Sequence, residues 1–379
     1  MSDELDRLLK ESLKAAGDRY DKVQTPQHRN EARQEFVRRY QRRRWAFPFS
    51  VAIAAACVAT VVAFGVSAIV DTVPDRRGIT DIAGPDAAYD SVPIDGDPVD
   101  IGIRDNGLWV ADAANGRLIH MDPVTGDVLA TVDLGGSPRS LAIGTGAVWV
   151  GDPSSGRLYE IDKITDEVIG DPIDVGGPAP SMSISVGFYS VWVVSGGELS
   201  MVDLETHEVT PIDSVSRPLD AAANLGSVWV LDAEVGLVQL DPQTGAIIGE
   251  PIQVQGETGD VYAGAGAIWV ADRQDDTIVS IDPDTGRTLG IERVRGTYVS
   301  LAFGSDIVWA LSRAGTIGYL TPLDPATGDA LREPLQLDGD PIQVATGADA
   351  VWVAFRDDRT VARVEPVDVL QGDGASTTP

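Results

Sequence analysis

The chain has 379 residues, with 58 acidic against 29 basic side chains, three histidines and one cysteine. A single cysteine excludes an intramolecular disulfide and any zinc site built on cysteines. A formal net charge of −29 repels phosphate backbones and excludes nucleic acid as a partner of the main body. The charge is uneven: residues 1–45 hold 12 Lys and Arg against 8 Asp and Glu, so the acidic excess lies entirely beyond them.

In chain order, Leu5, Leu8, Leu9, Leu13 and Ala16 recur at helical spacing and stop at Gly17. Thr25-Pro26 reads as a helix cap and first turn, opening a basic helix that runs to Arg44. Two helices of this size make no core of their own, so the apolar stripe needs a partner, a membrane surface or solvent exposure of the whole segment. From Ala46 to Val70 there follow 25 uncharged residues. At about 1.5 Å per residue they span a bilayer core of roughly 30 Å, and a transmembrane helix is expected over 46–70. Arg38, Arg39, Arg42, Arg43 and Arg44 precede this span, whereas Asp71, Asp75 and Asp81 follow it beside only Arg76 and Arg77. The positive-inside rule then puts residues 1–45 in the cytoplasm and everything after 70 outside the membrane. Two rival readings are a signal peptide cleaved near Val66-Ser67-Ala68 and a lipoprotein site at Ala55-Ala56-Cys57. The apolar run and the 45-residue leader are long for a signal peptide, and uncharged residues follow Cys57 where a polar tether belongs, so Cys57 reads as a small apolar residue inside the span. Residues 71–89 are expected to form a stalk.

Repeats decide the fold of the rest. Trp109, Trp149, Trp192, Trp229, Trp269, Trp309 and Trp352 each sit in a β-branched or aliphatic run, and their successive spacings are 40, 43, 37, 40, 40 and 43. That is the period of a four-stranded propeller blade, and such unbroken apolar runs suit strands buried on both faces. About 13 residues after the tryptophan comes a turn, written Asp122-Pro123-Val124-Thr125-Gly126, Asp241 to Gly245, Asp282 to Gly286 and Asp324 to Gly328. Asp accepts backbone N–H groups, Pro presets φ and Gly supplies a positive φ, so these are hairpins between third and fourth strands. Blades two and three carry Asp166 and His207 at the glycine position. The seventh repeat runs out after Val361 to Pro366, while Ser91 to Pro98 matches a fourth strand and its exit. Residues 90–95 are therefore expected to pair with residues 359–365 and leave no open edge.

The fold class is thus all-β: a seven-bladed β-propeller of four-stranded blades over 90–368, preceded by a single transmembrane helix and a short helical cytoplasmic segment. Residues 369–379, rich in Gly, Ser and Thr, form a loose tail. Strings such as Val148-Trp149-Val150-Gly151-Asp152, Arg157 to Asp162 and Val175-Gly176-Gly177-Pro178 resemble bacterial YVTN-type and NHL-like propellers. They are also similar to the propeller of streptogramin (virginiamycin B) lyase. This resemblance implies fold, since the shared residues are those that build blades. The lyase family's chemistry depends on a histidine and a divalent metal at the central face, and no residue here matches that histidine. His120 falls in a third strand and His207 in an outer hairpin. The segment Leu8 to Asp18 is similar to leaders of actinobacterial single-pass proteins associated with extracytoplasmic-function sigma factors, which implies a cytoplasmic protein as a partner of residues 1–45. The alternative is a solvated leader that only sets topology.

For chemistry, Lys163 lacks the glycines of a phosphate loop, and Gly144-x-Gly146 is a hairpin turn. No catalytic residue and no organic cofactor is assigned. The candidate ligand-binding residues are acidic. Asp112, Asp152, Asp232 and Asp272 follow their blade tryptophan by three residues, on the same face as the blade connections carrying Asp97, Asp338 and Asp340. Such a rim could hold Ca²⁺ or a cationic ligand. The competing reading has each Asp capping its own hairpin. The expected function is a membrane-anchored extracytoplasmic module recognising a ligand or protein on the blade-connection face. A lyase or hydrolase using rim carboxylates, and a transmembrane regulator of a sigma factor, are the alternatives.

Overall fold

The computed structural model describes residues 90–364 apart from 106, 255–257, 305–306 and 348–349. The expected cytoplasmic helices, membrane span, stalk and C-terminal tail lie outside these residues. Among the described residues no helix is long and apolar enough to cross a membrane.

Seven antiparallel four-stranded sheets are present. Each blade begins with an inner strand, as in Pro98–Arg104 of blade 1, and continues with the tryptophan strand, as in Gly107–Asp112. A third and a fourth strand follow, here Arg117–Met121 and Val128–Asp133. The tryptophan strands are buried at every position in blades 1 to 5 and 7. The cause is the two-residue period of a strand, which sends alternate side chains to opposite faces. Trp109 packs with Val148, Val150 and Ile161 of blade 2. Val148 and Val150 themselves flank Trp149, whose ring packs with Val191 and Val193 of blade 3. Each tryptophan thus faces the next blade and its aliphatic neighbours face the previous one. The pattern runs round the ring until Trp352 meets Leu108, Val110 and Ile119 of blade 1.

The hairpins between third and fourth strands form as the turn motif dictates. Asp122 Oδ1 accepts the N–H groups of Val124 and Thr125, and Gly126 takes a φ of 77°. Asp166 and His207 stand in the same left-handed region at 57° and 58°. Both are residue types that tolerate it better than most.

Closure follows the sequence expectation. Asp90–Pro93 pairs antiparallel with the third strand of blade 7, in the register Asp90 with Arg363 and Pro93 with Thr360. Ile94 extends the latch, donating its N–H to the Arg359 carbonyl at 2.7 Å and burying its side chain in the cluster shared by blades 7 and 1. The indole N–H of Trp352 donates to the Pro123 carbonyl of blade 1 at 3.1 Å. Replacing Ile94 by Ala is expected to lower unfolding free energy by about 2–4 kcal/mol, the usual loss for a buried aliphatic. Chemical denaturation with tryptophan fluorescence checks this, and an unchanged midpoint would deny the latch any energetic role.

Candidate functional site

Of the carboxylates expected on the connection face, the four that end tryptophan strands have their oxygens taken up locally. Asp112 is fully buried; its oxygens accept the Asp97 and Asn115 N–H groups, the Asn115 side-chain amide and Arg117 Nε. Asp152 accepts from Ser154 N–H, Ser154 Oγ and Ser155 Oγ. Asp232 accepts four backbone N–H groups, those of Ser216, Arg217, Glu234 and Val235, at 2.7–3.1 Å. Asp272 accepts from Gln274 and Asp275. Each therefore caps the turn that follows its strand, and in blades 1, 2 and 4 it also holds the incoming connection. Burial pushes the carboxyls of Asp112, Asp152 and Asp232 up, but these hydrogen bonds outweigh it and hold them below the ordinary value of 3.8. Asp97 contributes its backbone N–H to Asp112 and its carbonyl to Ala113. Asp338 ends the fourth strand of blade 6 and is exposed. Asp340, two residues on, pairs with Arg313 and lies 3.7 Å from Arg356. Among the described residues no three His, Cys, Asp or Glu side chains converge as a metal ion would require.

Where Asp340 sits, the connection face opens into a groove of about 570 Å³. The second-to-third strand turns of blades 5, 6 and 7 supply Asp276, Arg313, Thr316 and Asp357, while the connections supply Thr297 and Asp340. Small residues, Gly296, Ala314 and Gly315, leave the groove open between them.

A second polar constellation lines the inner strands. Asp100, Ser140, Ser183, Asp220, Asp260, Ser300 and Gln343 occupy one equivalent position, each opposite the residue two after its blade tryptophan. In blades 1, 4, 5, 6 and 7 a register shift immediately precedes this residue, the mark of a bulge that re-aims the side chain. These side chains bond across blade boundaries. Asp100 accepts from Leu141 N–H of blade 2 and from Gln343 Nε2 of blade 7, both at 2.8 Å. Asp220 accepts from Ser183 Oγ of blade 3 and from Val261 N–H of blade 5. Ser300 Oγ accepts Val344 N–H at 3.0 Å. Asp260 instead pairs with Arg273 of its own blade at 2.6 Å, beneath which Tyr298 donates to Tyr262 at 3.1 Å between the hydroxyls.

Burial raises the Asp100 carboxyl to about 6. Burial, reinforced by the neighbouring Asp260 charge, raises Asp220 to about 7. Asp260 is also pushed up by burial, against the pull of Arg273. Burial raises both tyrosines as well. Sequence reasoning missed this set, although a signal was present: all seven stand nine residues before their tryptophan. It also missed Asp276, Arg313 and Asp357, for which the sequence carries no periodic mark.

The histidines lie where the strand pattern puts them. His120, in the third strand of blade 1, stacks on Trp109 with ring centroids 4.0 Å apart. Its Nδ1 lies 2.8 Å from Asp166 of blade 2. His207 Nε2 lies 2.9 Å from Glu160, joining blades 3 and 2. Both pairs sit toward the outer hairpins and neither lies on an inner strand.

Fold and site together define a seven-bladed propeller with a polar inner ring and a groove on its connection face. No protein-family model and no curated protein matches the chain. Among solved structures it is similar to virginiamycin B lyase from Staphylococcus aureus, with a TM-score of 0.60 at 14% identity over 73% of this chain and 98% of that one. A catalytically inactive variant of that lyase, with one histidine replaced by alanine and with quinupristin present, aligns with a TM-score of 0.61 at 14% identity over 73% of this chain and 98% of that one. The β-propeller domain of Cps50 (Swd1) from Myceliophteria thermophila aligns equally, with a TM-score of 0.61 at 12% identity over 73% and 99%. At these identities the likeness is one of fold.

Two tests follow. Asp232→Ala strands four backbone N–H groups and is expected to cost about 2–3 kcal/mol, read by denaturant titration. For pH, the native state holds protons on Asp100 and Asp220 that the unfolded chain releases above about pH 4. Stability from these groups therefore falls as pH rises from about 4 through 7, by about 3 kcal/mol for Asp100 and about 4 kcal/mol for Asp220. The capping carboxylates act oppositely and lose their contribution as pH falls below their ordinary value. Melting temperature should thus be higher at pH 5 than at pH 8, and Asp100→Asn with Asp220→Asn should narrow the difference; an unchanged gap excludes these carboxyls as its source.

Proposed function

We propose that the protein is a membrane-anchored extracytoplasmic propeller that recognises a ligand or a protein through its connection face, without bond-breaking chemistry. The observation that carries this reading is the open groove across blades 5 to 7, because it offers polar side chains and backbone to a partner while the capping carboxylate of blade 5, Asp272, is already satisfied by its own turn. Concave sites with a few convergent polar groups are the usual places for recognition. The lyase neighbour becomes inactive when a histidine is replaced, whereas His120 and His207 here are engaged by carboxylates between outer hairpins. That contrast favours binding over lyase turnover. The anchor is the uncharged stretch 46–70 with its arginine-rich cytoplasmic flank. In this arrangement residues 1–45 face the cytoplasm and offer their apolar stripe to a partner such as a sigma factor.

Two measurements test the reading on the full chain in cells. The chain should resist alkaline extraction from membranes, and deletion of residues 46–70 should release it. A photo-crosslinking side chain at Thr316, in the groove, should capture an envelope ligand that the same group at Thr285, on an outer hairpin, does not. Equal capture at both positions, or none at Thr316, rejects the groove as the recognition surface.

A further inference from the structure

We propose that the junction between blades 5 and 6 is the seam at which the ring opens, and that Arg273 is the clasp holding it shut beside the groove; this goes beyond the recognition reading and is tested without a ligand. At the other six junctions the inner strands of neighbouring blades run alongside one another, but Thr258–Gly264 of blade 5 and Thr297–Phe303 of blade 6 stand apart. An aromatic cluster fills the space instead. Phe303 lies against Tyr262 and Trp269, with ring centroids 5.9 and 6.3 Å apart, and the Tyr298 hydroxyl donates to that of Tyr262 at 3.1 Å.

The bond across the junction is displaced in the same way. The N–H groups of Leu141, Val261 and Val344 each go to the inner-ring residue of the preceding blade. In blade 6 the equivalent N–H, that of Leu301, goes to the Tyr262 hydroxyl, two residues beyond Asp260. A longer side chain thus spans a wider gap, and Asp260 is released to Arg273. Blades 5 and 6 are joined here by side chains, without the close approach of inner strands that stiffens the rest of the ring.

Arg273 ties this junction on the connection face. Its guanidinium meets Asp260 of its own blade at 2.6 Å and lies 5.9 Å from the centre of the Tyr298 ring of blade 6. The stem lies in a slot left by Gly259, where an added Cβ would stand 2.4 Å from Arg273 Nε and 2.6 Å from Cδ. Gly259 occupies the bulge of its strand, at a position where the other blades carry Val99, Arg139, Met182, Leu219, Val299 and Ile342. Blade 5 leaves that place empty and the arginine fills it. Without Arg273, Asp260 would be left beside Asp220 as a second carboxyl inside the protein; water is the partner that remains, and reaching it parts the strands. The side chain of Arg273 is 52% exposed, so water competes for it and the clasp can let go. Gly296 and Thr297, which lead into Tyr298, line the groove, and a movement of this strand therefore moves part of the groove wall.

Hydrogen exchange of the full chain in detergent, followed by mass spectrometry, reads such opening strand by strand. Relative to their intrinsic rates, Thr258–Gly264 and Thr297–Phe303 are expected to exchange about 10-fold faster than Pro98–Arg104 and Pro341–Gly347, the inner strands of the junction between blades 1 and 7. Arg273→Gln should speed the first two strands by a further 5- to 10-fold or so, roughly the effect of one charge-assisted contact, and leave the other two unchanged. Gly259→Val, which puts the residue of blades 1 and 6 into the slot and evicts an intact arginine, should do the same. Arg217→Gln removes an exposed arginine that stands 4.0 Å from Glu234 in blade 4 and should have no effect on either pair. Nitration by tetranitromethane gives a second readout: Tyr298, only 1% exposed, should react faster in Arg273→Gln, while the exposed Tyr189 reacts as before. Equal protection of all four strands in the unaltered protein overturns the proposal, and that comparison needs no variant to fold. Acceleration of all four strands alike by Arg273→Gln overturns it too, since that would be loss of stability throughout the ring.

Discussion

Everything in this molecule depends on one strand per blade being buried on both faces. The tryptophan strand sends its indole toward the following blade and its aliphatic neighbours toward the preceding one. No blade can hide both surfaces alone, because a sheet covers itself on neither side. Each sheet is therefore stable only between two others, and the seventh must meet the first. At about 25 cal/mol per Å² of apolar surface, this repeated burial outweighs any single polar contact described above. It also explains why the turns are so regular, since a hairpin of different length would shift the indole out of the next blade's face.

The polar groups are fitted around that constraint and divide into two populations with opposite electrostatics. Asp112, Asp152 and Asp232, at the ends of tryptophan strands, are surrounded by hydrogen-bond donors and favour ionisation. Those on the inner strands are surrounded by protein with fewer donors and favour the proton. The inner ring is asymmetric: blades 1, 4 and 5 bear carboxylates, blades 2, 3 and 6 bear serines and blade 7 bears glutamine. Asp260 departs furthest from the interblade pattern, turning to Arg273 and so drawing a surface guanidinium over Tyr298. The groove opens on the connection face of the same blade and the two that follow it.

The blade count, the strand order and the closing strand were legible because they are written as periodic features. Tryptophan spacing counts the sheets, the Asp-Pro-x-Thr-Gly turns mark their outer hairpins, and Ser91 to Pro98 repeats a fourth strand in the wrong place. The capping role of Asp112, Asp152 and Asp232 was legible as one of two readings, since an Asp at a strand end serves a turn or a ligand equally well until its hydrogen bonds are known. The groove was not legible. Asp276, Thr297, Arg313 and Asp357 come from three blades, and their meeting depends on the radial spread of the turns rather than on any spacing along the chain. The inner ring lay between these cases: a constant offset of nine residues from the tryptophan was available, but serine, aspartate and glutamine share no single chemical character that draws attention to it.

The latch at Asp90–Pro93 sets an order of events during synthesis. The first strand of the ring pairs with Thr360–Arg363, at the far end of the propeller sequence, so it must wait until nearly the whole chain has emerged. Six blades can stack progressively as they appear, each on its predecessor, while the opening segment remains without a mate. Non-local pairing of this kind is slow, because loop-closure entropy is spent before the contact returns anything. Until that moment the exposed edge of the last sheet can accept a strand from another copy. Intermolecular pairing and ring closure thus compete in time, and a chain truncated shortly before Thr360 would emerge as an open, adhesive arc.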